Sequence, residues 1–321
     1  MNWTNMLEII LNNTILYATP LVLAALGGVL SERSGIVNIA LEGFMIIGAF
    51  AAAVVAIFAG ETLGVGRMAP WFGLLAAFVL GVVFAVPHAV ATIHFRADQV
   101  VSGVALNFLA AGFAIFMVKN LFEGAAQTTT VQFPFEKYSI PWLSDIPIIG
   151  NGIFFAYPTS YLAVVLVLIV YFLLFRTPFG LRIRALGEHP HAADSVGIRV
   201  YLYRYMAVLL AGGLAGLGGA GMSIAVTSNF QHNTIAGHGF MALAAMIFGK
   251  WHPVGAMWAA LFFGFATALA ASGQVIGLTN YVPAEFLIML PYLLTILALA
   301  GVVGRAHAPS ALGRPYVKGQ R

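Results

Sequence analysis

The chain is divided by one basic stretch that reads RTPFGLRIRALGEHPHAADSVGIRVYLYR, residues 176–204. This stretch carries five arginines against two acidic residues, and long apolar segments lie on both sides of it. Pro190 suits the first turn of a helix, and Gly197 suits a helix stop. The stretch therefore predicts a polar loop between apolar segments, with a short helix between Gly187 and Gly197.

The composition is that of a protein with many membrane spans. Of the 321 residues, 61% are hydrophobic and 8% are charged, and the mean hydropathy is +0.93. A soluble domain carries about 25% charged residues. A span needs roughly 20 apolar residues, which leaves room for about eight to ten spans. We therefore expect an all-α polytopic membrane protein embedded in the lipid bilayer.

Apolar runs predict about nine spans. One of them, 236–249, is short for a full crossing and is either a complete span or a re-entrant half-helix buried among its neighbours. The nine runs are 14–31, 36–59, 70–93, 98–120, 160–176, 203–226, 236–249, 253–272 and 283–304.

The distribution of Lys and Arg predicts the orientation. Excess Lys and Arg lie on the cytoplasmic side of membrane proteins. If the loop 177–202 is cytoplasmic, Arg33, Arg96, Lys250 and the basic residues near the C-terminus fall on the same side. The N-terminus is then outside and the C-terminus inside. The net charge of +4 therefore reflects membrane orientation, and we expect no nucleic-acid partner.

Two segments 196 residues apart are similar. IALEGFMIIGA at 39–49 and IAGHGFMALAA at 235–245 share six of eleven residues, including a contiguous Gly-Phe-Met. Five crossings separate the copies, so they enter the membrane from opposite faces. Such inverted repeats are typical of transporters, with the substrate handled where the repeats meet. The predicted parts are repeat one at about 14–120, an outer loop at 121–159, a linking span at 160–176, the cytoplasmic loop at 177–202, repeat two at about 203–304 and a cytoplasmic tail at 305–321.

Glu42 and His238 occupy the same position in the two copies. A charge near the bilayer centre costs about 2.5–3.5 kcal/mol on insertion scales, so such residues normally face a cavity or a partner. One interpretation is that both line a translocation path. The alternative is that each lies within two turns of a membrane face and is hydrated or paired locally. For amides within spans the default role is structural, since their interhelical bonds contribute about 0.6 kcal/mol. The candidate path residues are Asn38, Glu42, Phe44, Asn107, Asn233, His238 and Phe240.

The sequence contains no catalytic motif. A GxxxxGK[ST] phosphate loop, an HExxH zinc motif and a GxSxG nucleophile elbow are all absent. The glycine-rich run 211–221 lies inside an apolar segment and is expected to let helices pack closely. No cysteine is present, which excludes disulfides and cysteine metal sites. We therefore expect no enzyme activity, no metal site and no ATP bound by this chain.

Two motifs resemble a known family. GVLSERSGIVNIALEG at 28–43 is similar to the signature of ABC importer permeases in the superfamily that serves branched-chain amino acids, simple sugars and nucleosides. It is most similar to the nucleoside branch, which works with basic-membrane-protein lipoproteins. RALGEHPHAADSVGI at 184–198 resembles the cytoplasmic coupling segment, usually Gly-Glu-Asn-Pro-x-Ala-Ala-x-x-x-Gly-Ile. His189 stands where the family usually has Asn.

The resemblance implies a set of partners. Such a permease pairs with a second, related permease subunit and with an ABC ATPase that has two nucleotide-binding domains. The ATPase binds ATP and Mg, an extracytoplasmic lipoprotein delivers the solute to the permease, and the permease lies in the bacterial cytoplasmic (inner) membrane. The coupling residues implied by the motif are Gly187, Glu188, His189, Pro190, Ala192, Ala193, Asp194 and Gly197.

Two functions remain open at this point. The first is the permease subunit of an ATP-driven importer for nucleosides or related polar solutes such as simple sugars. The second is an ion- or proton-coupled secondary transporter, which the inverted repeat with Glu42 and His238 would also suit. The coupling segment favours the first.

Overall fold

The structure, a computed structural model, describes residues 3–144, 146–297 and 307–319. The regular secondary structure of the described residues is helical apart from one short hairpin, in which β1 (Tyr138–Ser139) pairs antiparallel with β2 (Phe155–Ala156). The helices are α1 (Trp3–Arg33), α2 (Leu41–Glu61), α3 (Ala69–Ala89), α4 (Gln99–Leu121), α5 (Ile149–Ile153), α6 (Pro158–Arg176), α7 (Pro178–Glu188), α8 (Pro190–Ser195), α9 (Val200–Gly221), α10 (His238–Phe248), α11 (Pro253–Ser272) and α12 (Ala284–Leu297). One π-helical turn extends α3 over Val90–His94, and another extends α9 over Met222–Val226.

Within the described residues, seven helices are long and apolar enough to cross a membrane: α1, α2, α3, α4, α6, α9 and α11. They coincide with seven of the nine predicted runs. The run predicted at 236–249 is α10, whose 11 residues make it about half a crossing. The run predicted at 283–304 begins as α12, and its residues 298–304 lie outside the described residues.

The central helices are α1, α2 and α9. In their most apolar windows 83%, 83% and 89% of residues are buried, against 22% for α4. Close packing needs small residues here: a Cβ on Gly48 would lie 2.1 Å from the carbonyl oxygen of Gly216. The glycine-rich run in α9 therefore serves helix contact, as predicted. The apolar faces of α3, α4 and α6 are exposed in this chain and can contact lipid or another subunit.

The segment 34–40, between α1 and α2, is irregular although hydropathy predicts a span from residue 36. Its backbone polar groups are paired inside the protein, as a membrane interior requires. Ser31 Oγ donates to the carbonyl of Ile36 at 2.9 Å, and the N–H of Val37 donates to Gln99 Oε1 at 2.7 Å. Hydropathy could not detect the break, because the residues of the segment are mostly apolar.

The bundle has two distinct ends. At the first, which we call the basic end, α7 packs on the end of α1, where a Cβ on Gly187 would lie 2.3 Å from the carbonyl oxygen of Arg33. At the other, the outer-loop end, Lys137 donates to Asn12 at 2.5 Å near the start of α1. The basic loop and the outer loop thus lie at opposite ends, and which end faces the cytoplasm stays a prediction.

Candidate functional site

Helices α2 and α10 begin side by side inside the protein, and Glu42 joins them. The Glu42 side chain is 8% exposed. Its two carboxylate oxygens each accept one backbone hydrogen bond at 2.7 Å, from the N–H groups of Gly237 and Gly239. The helices touch, since a Cβ on Gly239 would lie 2.4 Å from the Cα of Glu42. The two similar segments of the sequence therefore meet at their first turns.

From this meeting point the two helices run to opposite ends of the bundle. Helix α10 leads to the end of α1, where Trp251 Nε1 donates to Glu32 Oε2 at 2.6 Å. Helix α2 leads to the outer-loop end, where Gly60 lies against Phe133. Both helices begin within the bundle, led in by the irregular segments 34–40 and 227–237, and do not begin at its surface.

The length of α10 gives the distance of the Glu42 carboxylate from the basic end of the bundle. Eleven helical residues rise about 16 Å, and α10 separates Glu42 from the level of Trp251 at the basic end. This is about half of a hydrocarbon core roughly 30 Å thick. Both interpretations of Glu42, as a residue of a translocation path and as a locally paired residue near a membrane face, stay predictions.

The Glu42 carboxylate accepts hydrogen bonds from backbone N–H groups that would otherwise have no partner inside the protein. The first N–H groups of a helix have no partner within the helix, and the N-terminus carries a partial positive charge. Within an apolar helix bundle such groups need a partner from the protein itself. Glu42 supplies both the hydrogen-bond acceptors and the opposite charge for α10. Its first role is therefore to hold the two helix starts together.

Asn107 does the same for α2. Its Oδ1 accepts from the N–H of Gly43 at 2.8 Å, and its Nδ2 donates to the carbonyl of Ile39 at 3.0 Å. Gly43 and Gly239 are equivalent positions of the two similar segments. Each segment thus has its first-turn glycine N–H capped by a side chain of another element. The geometry of Asn107 therefore indicates a structural role at the start of α2.

Two polar groups near this junction are buried without a partner among the described residues. The amide of Asn38 is fully buried, and neither of its polar atoms makes a hydrogen bond there. His238 uses Nδ1 on the carbonyl of Ile235, while its buried Nε2 is unpaired. These groups are available to a polar ligand or to a neighbouring element in another conformation.

The remaining path candidates lie elsewhere. Phe44 is fully buried, with its ring 6.4 Å from that of His88. Asn233 is exposed in the segment before α10, and Phe240 is 48% exposed. The structure thus brings together Asn38, Glu42, Asn107 and His238, and leaves Asn233 and Phe240 on the surface of this chain.

Sequence reasoning missed His88 as a tertiary contact. His88 follows Pro87 in an apolar run, where a local capping role is the obvious interpretation. In the structure its ring is fully buried; Nδ1 lies 3.0 Å from Ser102 Oγ and Nε2 lies 3.4 Å from the carbonyl of Val37. His88 therefore ties α3 to α4 and to the irregular segment 34–40. The sequence signal that could have indicated this contact is a single histidine within an apolar span.

The short helix predicted between Gly187 and Gly197 corresponds to α8, and a second helix that was not predicted, α7, precedes it. Helix α7 ends at Glu188 and α8 begins at Pro190, with His189 between them at φ −141° and ψ 80°. The reason is Pro190, because the residue before a proline is driven out of the helical region. The predicted stop at Gly197 is present, with φ +84°.

The coupling candidates divide by exposure. Gly187, Pro190 and Ala193 are buried against the protein. Glu188 is exposed but already engaged, since its Oε2 accepts from Ser310 Oγ at 2.8 Å. Asp194 is half-buried. The exposed face of α8 and its flanks consists of His189, His191, Ala192, Ser195, Val196 and Gly197.

No group of three or more His, Asp or Glu side chains in the described part of the chain is placed to hold a metal ion.

Comparison with known proteins gives full-length matches. The family model described as branched-chain amino acid transport system / permease component matches residues 10–299. The chain is 54% identical to the guanosine ABC transporter permease protein NupQ of Bacillus subtilis, over 100% of both chains. It is 46% identical to the nucleoside ABC transporter permease protein NupC of Lactococcus lactis subsp. cremoris, over 99% of both. It is 25% identical to the glucose ABC transporter permease protein TsgB13 of Haloferax volcanii, over 87% of this chain and 75% of that one.

The role of Glu42 predicts a large loss of stability on truncation. Glu42→Ala leaves the buried N–H of Gly239 and the half-buried N–H of Gly237 without acceptors, at up to about 1–3 kcal/mol each. We expect a clearly lower midpoint of thermal unfolding for the purified full-length protein in detergent. Glu285→Ala is the matched control, because Glu285 is an exposed carboxylate in the first turn of α12 and its removal costs below about 1 kcal/mol. Equal unfolding midpoints for the two variants would contradict the assigned role.

Proposed function

The chain belongs to the branched-chain amino acid transport system / permease component family, and on this basis we propose that it is the membrane-spanning subunit of an ATP-driven importer of nucleosides. The family is the one that the motifs at 28–43 and 184–198 resemble. The observation that carries the nucleoside assignment is the 54% identity to a guanosine permease over the whole length of both chains. The lower identity to a glucose permease makes simple sugars the weaker choice.

The chain is a permease component and not an ATPase. Its long apolar helices fit the multi-pass permeases to which it is similar. We place it in the bacterial cytoplasmic membrane with its N-terminus outside. The basic end is then the cytoplasmic end, consistent with the excess of Lys and Arg there.

The proposed translocation path passes the junction of α2 and α10. Helices that start in mid-membrane and run to opposite faces are a recurrent feature of transporters built from inverted repeats, with the substrate bound where the repeats meet. We assign the repeats to about 14–120 and 203–304. In this scheme Glu42 and Asn107 position the helix starts, while the unpaired groups of Asn38 and His238 face the solute. A nucleoside offers hydroxyl and ring-nitrogen groups that complement an amide and an imidazole.

The energy source is proposed to come from partner chains. An ABC ATPase with two nucleotide-binding domains would hold ATP and Mg and dock on the coupling loop 177–202. A second, related permease would cover part of the apolar faces of α3, α4 and α6. A binding lipoprotein would present the solute at the outer-loop end.

The transported solute and the energy source are tested together by reconstitution. The full complex in proteoliposomes is expected to take up labelled guanosine only when ATP is supplied on the ATPase side, with unlabelled adenosine competing and glucose competing weakly. A protonophore should leave uptake unchanged. Uptake that needs no ATP and stops with the protonophore would instead support the ion- or proton-coupled secondary transporter.

The coupling surface is tested at Val196, which is 75% exposed beside α8. Val196→Asp places a charge in the proposed interface, where desolvation penalises it. We expect at least a tenfold weaker association of the ATPase, which is about 1.4 kcal/mol, with unchanged unfolding of the isolated permease. The measurement is ATPase binding to the full-length permease in nanodiscs.

Val275→Asp is the matched control for this experiment. Val275 is 63% exposed and lies just beyond the end of α11, at the opposite end of the bundle. If both variants bind the ATPase like the wild type, the coupling surface is misassigned.

A further inference from the structure

The C-terminal residues 307–319, here called the strap, fold back onto the coupling loop. The N–H of Ala311 donates to the carbonyl of Gly187 at 2.8 Å. Ser310 donates to Glu188 Oε2 twice, from Oγ at 2.8 Å and from its backbone N–H at 3.2 Å. The strap is therefore bound to the end of α7 by backbone and side-chain contacts together.

The strap also contacts the irregular segment that leads into α2. The N–H of Gly313 donates to the carbonyl of Gly35 at 3.1 Å. Gly35 has φ +92°, a conformation that favours glycine. One strap thus touches both the coupling loop and the segment 34–40.

Tyr316 anchors the far end of the strap. It is 3% exposed and packs with Leu186, Ala193 and Val200. Its ring centroid lies 5.1 Å from that of His191 and 5.5 Å from that of Tyr201. Burial, followed by the neighbouring carboxylate of Asp194, raises the pKa of Tyr316 to about 12. Its hydroxyl therefore stays protonated at physiological pH and lies beside a carboxylate.

A cleft of about 500 Å³ opens between the strap and the coupling loop. One wall is the chain from the end of α8 to the start of α9, and the other is the strap. Arg199 and Lys318 stand exposed at the cleft, while its one acid, Asp194, is half-buried beside Tyr316. The exposed charge of the cleft is therefore positive. The lining residues are Asp194, Gly197, Ile198, Arg199, Val200, Tyr201, Tyr316 and Lys318.

We propose that the strap forms the second half of the ATPase-docking surface, with an acidic side chain of the ATPase entering the cleft between Arg199 and Lys318. The inference rests on the proposed function, because it takes the ATPase as the partner of the coupling loop. The occupant follows from position and charge. The cleft continues the exposed face of α8 past Val196, so that a protein docked on α8 covers it. An apolar centre at Val196 with charged residues around it is the usual arrangement of a protein interface.

The ion pair predicts a salt-dependent affinity. Interactions between partly exposed charges weaken as salt rises. Lys318→Glu reverses the charge of one wall of the cleft and is expected to weaken ATPase binding to the full-length permease about tenfold at low salt. The difference from wild type should shrink at high salt. Binding is measured in nanodiscs over a series of salt concentrations.

Arg314→Glu is the matched control. Arg314 is an exposed cation on the same strap and does not line the cleft. Arg314→Glu makes the same change of charge as Lys318→Glu. It is expected to bind the ATPase within about twofold of wild type at every salt concentration. Thermal unfolding of both variants checks that the strap is folded. Equal losses for Lys318→Glu and Arg314→Glu, or no loss for either, overturn the proposal.

The Val196→Asp variant separates this proposal from the one on which it rests. If Val196→Asp loses the ATPase and Lys318→Glu binds it normally, the coupling surface stands and the strap is no part of it. If neither variant weakens binding, the ATPase does not dock on this loop and both proposals fail. If both variants weaken binding and Arg314→Glu does not, the strap and α8 form one surface.

Discussion

The structure depends on how the first N–H groups of two helices are paired inside the helix bundle. A helix that begins inside a bilayer exposes unpaired N–H groups and a partial positive charge to a region without water. The carboxylate of Glu42 meets both needs for α10 with two bonds of 2.7 Å, and Asn107 supplies the equivalent acceptor for α2. Without these acceptors the first N–H groups of both helices would lose their hydrogen-bond partners. The irregular segments 34–40 and 227–237 are the parts of the chain that lead to these two helix starts.

The other features of the chain follow from this junction. The central helices must approach closely to bring the two starts together, which explains the glycine contact between Gly48 and Gly216. The segment 34–40 must hold its backbone bonds within the protein, which His88 and Gln99 help it do. The strap then connects this same segment, through Gly35, to the coupling loop at the surface. The coupling loop and the segment 34–40 are thus connected through two backbone hydrogen bonds of the strap.

Much of this arrangement could be predicted from the sequence, because hydropathy and residue identity carry it. The apolar runs gave seven helices that match in position, and the Gly-Phe-Met repeat indicated that Glu42 and His238 are equivalent. Hydropathy could not show that α2 begins at Leu41, since four of the five residues 36–40 are apolar whether they are helical or not. Nor could it show that Glu42 reaches Gly239, because that bond joins residues 197 positions apart. The strap escaped prediction for the same reason: its contacts with Gly187 and Gly35 are long-range, and its own sequence has no helical period.

The central claim is that α10 is a half crossing whose first turn, beside Glu42, lies near the middle of the bilayer, and spin-label depth measurement tests it most directly. The chain has no cysteine, so a single Phe240→Cys substitution gives one labelling site in the first turn of α10. Power-saturation EPR of the labelled protein in lipid should place the label roughly 15 Å below the headgroups, half of the hydrocarbon thickness. A label at Val196→Cys should report the aqueous surface. A Phe240→Cys label found at headgroup depth would contradict the account.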